Sequence, residues 1–272
     1  MTVTNGVPFE GYAAIDAVNW STLKEMAKSG AHYRHRLTTP RKDTPAMRFG
    51  RAVHCAVLEP DRFPLECVIW DGDRRGNAWK EFAEVNSGRT ILKFDEYETC
   101  LAVRDAVWSH PAAAPMLDGP SEIVLEWTDP DTGLACKARL DKVYEGGPAD
   151  LKTTKTTDPR EFERTSGNLL YHAQLSFYRR GLRECALGGL DAVPRIIAVE
   201  VEPPYDVVVF RLSDDALIAG DQLVGDLLAH VASCRERGEW PGRFATEQEL
   251  YLPPWMVVDP DSLGISIGGV KA

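Results

Sequence analysis

The sequence predicts a mixed α/β domain in which helices pack against a central mixed β-sheet. Two observations carry that expectation. The first is element order: the hydrophobic patterning reads as helices, then three strands, a helix, two strands and a helix. The second is composition: 272 residues that are 44% hydrophobic and 26% charged can bury a full-sized core.

The elements follow in chain order. Ser21 is a candidate helix N-cap before Leu23, Met26 and Ala27, and Gly30 is the expected stop. A basic stretch containing Pro40 and Pro45 then reads as loop. A helix over about 46–58 carries a core stripe of Phe49, Val53, Ala56 and Val57, with His54 beside it. Residues 72–88, with Gly72, Gly76 and Gly88, read as loops around a short helix. A helix over about 95–109 ends before Pro111.

Ile123, Leu125 and Trp127 alternate with Glu122, Val124 and Glu126 as a half-buried strand. The turn residues of 129–133 return the chain through a second strand over 135–143, so the two form a hairpin. A short strand over 149–153 precedes a long helix over about 159–187, interrupted near Gly167. Strands over 195–201 and 207–212 flank Pro203-Pro204-Tyr205, and a helix over about 214–237 follows. The whole reads as one domain: a helical part over about 12–110, a sheet-bearing core over about 120–240 and a tail over 241–272.

Charge and cysteine spacing exclude several classes. Thirty-one Lys and Arg against 41 Asp and Glu give a net charge of −10, which argues against coating nucleic acid with the whole surface. The six cysteines include no Cys-x-x-Cys, so zinc-ribbon and iron–sulfur spacings are absent and no iron–sulfur cluster is expected. They read as small buried hydrophobes or idle thiols. No run reaches 18 apolar residues and no leader pattern opens the chain, so no membrane partner and a cytoplasmic location are expected.

The segment that carries chemistry is Arg139-Leu-Asp141 followed by Asp150-Leu-Lys152. On a strand Asp150 and Lys152 share one face while Leu151 turns to the other, and Asp141 at the preceding strand's end can reach the same edge. Two carboxylates beside an ammonium suit phosphodiester hydrolysis. Carboxylates hold a hard cation such as Mg²⁺, the cation activates water, and the lysine stabilises charge on the phosphate.

With its flanks this segment resembles the PD-(D/E)xK nuclease signature, and more specifically the RecE-like, or exodeoxyribonuclease VIII-like, phage and prophage exonucleases. Further matches are Ser21-Thr-Leu-Lys24, Ala46 to His54 with Leu58-Glu-Pro60, Gly76-Asn-Ala-Trp79-Lys, Gly133 to Asp141, and Tyr171-His-Ala-Gln174 with Tyr178. The likeness spans about 12–255. Leu140, where the superfamily's name places a proline, and the absence of the large N-terminal extension of some RecE proteins are departures.

The resemblance implies a restriction-endonuclease-like core and a Mg²⁺-dependent 5′→3′ exonuclease on linear double-stranded DNA, with Mn²⁺ as a substitute. It assigns His54, Asp141, Asp150 and the Leu151 carbonyl to the metal, and Lys152 to catalysis. Glu122 matches an acidic position, with Glu126 as its rival. Gln174 and Tyr178 match a Gln-x-x-x-Tyr motif that holds DNA, and Tyr171 lies near their face. A ring-shaped homo-oligomer, trimer or tetramer, and a single-strand annealing protein are the implied partners.

The stretch 32–51 holds six basic residues (Arg34, Arg36, Arg41, Lys42, Arg48, Arg51) against one acid, Asp43, and fits the wall of a DNA groove. Arg48 and Arg51 are its candidate phosphate contacts, and Trp79 and Trp255 are candidates for stacking on bases. The alternatives are a RecB-like or CRISPR-associated nuclease acting on single strands or flaps, and a non-catalytic DNA-binding module of the same fold.

Overall fold

The structure, a computed structural model, describes residues 1–39, 42–188 and 192–253. Strand β1 (Thr2–Thr4), helix α1 (Phe9–Ala14) and helix α2 (Trp20–Leu23) open the chain, with α2 running into a 3₁₀ turn, Lys24–Ala27. Asn19 caps α2 through its side chain, which accepts from Thr22 N; the expected cap, Ser21, lies inside the helix. The basic stretch is mostly helical rather than loop. Ser29 accepts from His32 N to start α3 (Gly30–Thr38), and Tyr33, fully buried, anchors that helix against the core.

Helix α4 (Pro45–Leu58) begins where expected, with Thr44 as cap and Pro45 at its first position. Helix α5 (Phe63–Glu66), strand β2 (Cys67–Ile69), helix α6 (Gly76–Val85), strand β3 (Thr90–Leu92) and helix α7 (Phe94–Ser109) follow. The parallel β2–β3 pair was not foreseen, because three-residue strands leave too little periodicity to read.

Strands β4 (Ile123–Thr128) and β5 (Ala135–Leu140) form the expected hairpin. Asp129 accepts from Thr132 N in its turn, and Gly133 takes a positive φ of 70°. Strand β4 is buried more fully than its alternation implied: Val124 is enclosed along with Leu125. The return strand does not continue to 143. It breaks at Asp141, and β6 (Lys142–Tyr144) joins a different sheet. Strand β7 (Gly147–Thr154), helices α8 (Pro159–Leu169) and α9 (Tyr171–Glu184), strands β8 (Arg195–Glu200) and β9 (Val207–Arg211), and helix α10 (Asp214–Arg237) complete the described elements. The predicted long helix is broken at Leu170, which takes a left-handed conformation, three residues beyond Gly167.

Where one central sheet was expected, the described strands form two larger sheets and a small one. Strands β1-β4-β5 make an antiparallel sheet, and β6-β7-β8-β9 a mixed one with β7 and β8 parallel. Strand β7 is covered on both faces. Leu151 and Ile197 pack with Val53 and Val57 of α4 and Val103 of α7, while Ile196 and Ala198 pack with Leu175 of α9 and Phe162 of α8. The β4–β5 hairpin rests on Phe177 of α9 and Val224, Leu227 and Val231 of α10. The chain passes from one sheet to the other at Asp141.

Candidate active site

Four elements meet at that crossing. Strand β7 presents Asp150 and Lys152 on one face while the Leu151 side chain, fully buried, fills the opposite core. The Leu151 N–H donates to Asp141 Oδ2 at 2.8 Å, which ties the end of β5 to β7. Helix α4 delivers His54, whose Nδ1 lies 3.5 Å from Asp141 Oδ2. Glu122 precedes β4 at a φ of 54°, and its backbone N–H donates to Asp141 O at 3.1 Å. Its Oε2 meets Arg139 Nε at 2.6 Å.

Helix α9 closes the other side. Gln174 Nε2 donates to Asp150 Oδ1 at 3.4 Å and to the Tyr178 hydroxyl at 3.0 Å. The Lys152 ammonium contacts Asp150 Oδ2 and lies 4.8 Å from the centre of the Tyr171 ring. His54, Glu122, Asp141, Asp150, Lys152, Gln174 and Tyr178 therefore form one connected cluster. Glu122, not Glu126, reaches it; Glu126 sits mid-strand, opposite Lys137 on β5 and Thr2 on β1.

Burial sets the electrostatics, and the neighbours divide the carboxylates. Burial opposes ionisation of Asp141, but His54, Lys152 and the Leu151 N–H outweigh it and hold that carboxyl below its usual range. Asp150 is raised by burial and by Asp141, against the pull of Lys152. Glu122 is pushed up to about 7 by burial and by Asp141, against Arg139. Burial opposes the charged form of Lys152 too, yet Asp150 and Asp141 leave it raised. His54 is likewise raised, because Asp141 overcomes the effect of burial.

The donor set fits a hard divalent cation in kind: three carboxylates and an imidazole, with Asp150 Oδ2 buried without a hydrogen bond against the Lys152 ammonium. As they stand, no three His, Cys, Asp or Glu side chains among the described residues converge closely enough to hold an ion. Asp150 is engaged by Lys152 and Gln174, and Asp141 by His54 and Leu151.

The other expected contacts lie elsewhere. Arg51 makes two bonds to Asp43, at 2.8 and 2.9 Å, and Arg48 approaches the same carboxylate at 3.7 Å. Trp79 packs against Trp70 beneath the Arg74 guanidinium. Arg41 and Trp255 lie outside the described residues. The cysteines are free, four of them buried. No helix among the described residues is long and apolar enough to cross a membrane. Sequence reasoning missed Arg139 as a site residue, although strand alternation places it on the same face as Glu122's partner position, two residues before Asp141.

Residues 19–250 match the family model described as "PDDEXK-like domain of unknown function (DUF3799)". The structure is similar to a crystal structure from Eubacterium rectale described as a "putative exonuclease", with a TM-score of 0.58 over 97% of this chain and 100% of that one. The two are 14% identical, so the likeness is one of fold. No curated protein matches the chain by sequence.

Proposed function

The chain belongs to the PDDEXK-like family DUF3799, and from that premise we propose that it is a metal-dependent exonuclease that degrades linear double-stranded DNA from its 5′ ends. The observation that carries this reading is the convergence of Asp141, Asp150 and Lys152, with His54 and Glu122, at one sheet crossing. His54, Asp141, Asp150 and the Leu151 carbonyl would hold Mg²⁺ or Mn²⁺, with Glu122 as a further carboxylate. The cation, when bound, supplies Lewis-acid polarisation of the phosphate and a water of lowered pKa.

The chain's own residues do the rest. Lys152 is charged and buried, so its ammonium is in place to stabilise negative charge as the phosphodiester is attacked. Gln174 holds Asp150 and is itself bonded to the Tyr178 hydroxyl, and Tyr171 lies against Lys152. Gln174 therefore acts on the metal carboxylate, and its expected contact with DNA is a second task that Tyr178 and Gln174 would perform from the same helix face. The basic residues of α3 and α4 supply phosphate contacts without reading sequence.

The RecE-like assignment, 3′ single-stranded products for strand annealing, a ring-shaped homo-oligomer, an annealing partner and a cytoplasmic location belong to the same proposal and rest on the resemblance of sequence motifs. The test is digestion of a linear duplex labelled separately at its 5′ and 3′ ends, beside a closed circle, with Mg²⁺ or EDTA. Early Mg²⁺-dependent release of the 5′ label with the circle intact is expected. A nicked circle would make the protein an endonuclease, preferential loss of single strands a RecB-like enzyme, and no cleavage with any divalent metal a binding module.

A further inference from the structure

Outside the residues assigned so far, one charged group reaches into the site. Arg139 is mostly buried, with 18% of its side chain exposed, and its Nε, which makes no hydrogen bond, forms an ion pair at 2.6 Å with Oε2 of Glu122, itself 19% exposed. Glu122 is held in a left-handed backbone conformation that a glutamate rarely adopts, and its N–H is bonded to Asp141 O. Such a conformation persists where its surroundings over-determine it. Here the surroundings are the Asp141 carbonyl on the backbone side and the Arg139 guanidinium on the carboxylate side.

One side of Arg139 meets helix α1. Phe9 of α1 lies over Arg139, its ring centre 5.8 Å from the guanidinium carbon. Helix α1 is itself pinned by Lys137, whose Nζ donates to Tyr12 O at 2.7 Å, Ala13 O at 3.2 Å and Ile15 O at 2.7 Å. Helix α1 precedes the span matched by the family model, which begins at residue 19.

We propose that Arg139 is a positioning residue that fixes the Glu122 carboxylate beside Asp141 for the divalent cation, and that Phe9 of α1 steadies Arg139 from above. The idea rests on the metal-dependent reading given above. By pairing with Oε2, Arg139 restricts the positions the Glu122 carboxylate can take before the cation arrives. Outer partners of metal-binding carboxylates act in this way and influence affinity strongly.

The experiment is calorimetric titration of the metal-free full chain with Mn²⁺. Arg139→Met is expected to weaken Mn²⁺ binding by about 10- to 100-fold, with Arg139→Lys in between, because a single ammonium replaces a planar fork. Phe9 is 60% exposed, so Phe9→Ala leaves the fold intact even if Arg139→Met does not fold. It is expected to weaken binding by about two- to fivefold. In a Glu122→Gln background, Arg139→Met is expected to add little further loss, the signature of two residues acting as one. Wild-type affinity, or tighter binding, in the Arg139 variants overturns the proposal while leaving the nuclease reading standing, and so do fully additive losses. A wild-type chain that binds no Mn²⁺ overturns both.

Discussion

Lys152 is the residue whose loss separates chemistry from architecture. Its ammonium sits among Asp150, Asp141 and Tyr171 and contributes nothing to the apolar core behind β7, where Leu151 does the packing. Lys152→Ala is therefore expected to lower DNA cleavage by at least about a hundredfold while the unfolding midpoint and DNA binding stay near wild type. Single-turnover assays beside thermal melts check this. A pH dependence belongs to the same scale. Glu122 is raised to about 7 and His54 is raised as well, so the folded, metal-free chain keeps protons that the unfolded chain gives up. That stability is present at low pH and lost as pH rises through the folded values. Melting temperature is expected to fall from about pH 5 to about pH 8, and Mn²⁺ to restore more of it at the upper end, since protons and cation compete for one site. A Mn²⁺ stabilisation that is larger at the acid end would contradict the cluster's electrostatics. Of these residues, Asp150 and Lys152 were legible because strand alternation puts them on one face. The choice between Glu122 and Glu126 was not, because it depends on a left-handed turn at Glu122 that no periodicity encodes.

At the scale of elements, the site is carried by two contacts: β5 to β7 through Asp141, and α9 held between the sheets and α10. Helices α9 and α10 approach closely because Gly220 has no side chain. A Cβ there would lie 2.5 Å from Ser176 Oγ and 2.7 Å from His172 O. Gly220→Ala is expected to destabilise the chain by about 1–3 kcal/mol, through a shift of the backbone at His172 that the rigid helix passes on to Gln174. Urea unfolding measures the first effect and cleavage rate the second; a neutral substitution would show that the helices can part freely. Most long elements were readable: α4 carries an apolar stripe, α7 ends ahead of Pro111, and α10 lies within the bounds its patterning gave. The break at Leu170 was placed three residues early because glycine is the ordinary breaker, whereas here Leu170 itself adopts the left-handed turn and packs against the core. Helix α3 was read as loop because its polar faces hide the one buried anchor, Tyr33.

The whole molecule is acidic, yet its N-terminal third concentrates basic residues on α3 and α4. Asp43 complicates that picture, since it neutralises Arg51 and draws Arg48. If this face guides duplex DNA, Asp43→Asn frees both guanidinium groups. It is expected to tighten binding and steepen the slope of log affinity against log salt by about one. An unchanged slope in fluorescence anisotropy would remove α4's first turns from the DNA path. The two-sheet arrangement, by contrast, was hidden from the sequence: the strands either side of Asp141 read as one continuous run, and only tertiary packing sends them to different sheets.

The central claim is that Glu122, Asp141, Asp150 and Lys152 form a metal-dependent hydrolytic site, and release of acid-soluble nucleotides from a linear duplex tests it most directly. The assay compares wild type with Lys152→Ala and Asp150→Asn, each with Mg²⁺ and with EDTA. Release by the wild type with Mg²⁺ alone, and by neither variant, is the predicted result. Release that survives EDTA, or that either variant retains at the wild-type rate, would contradict it.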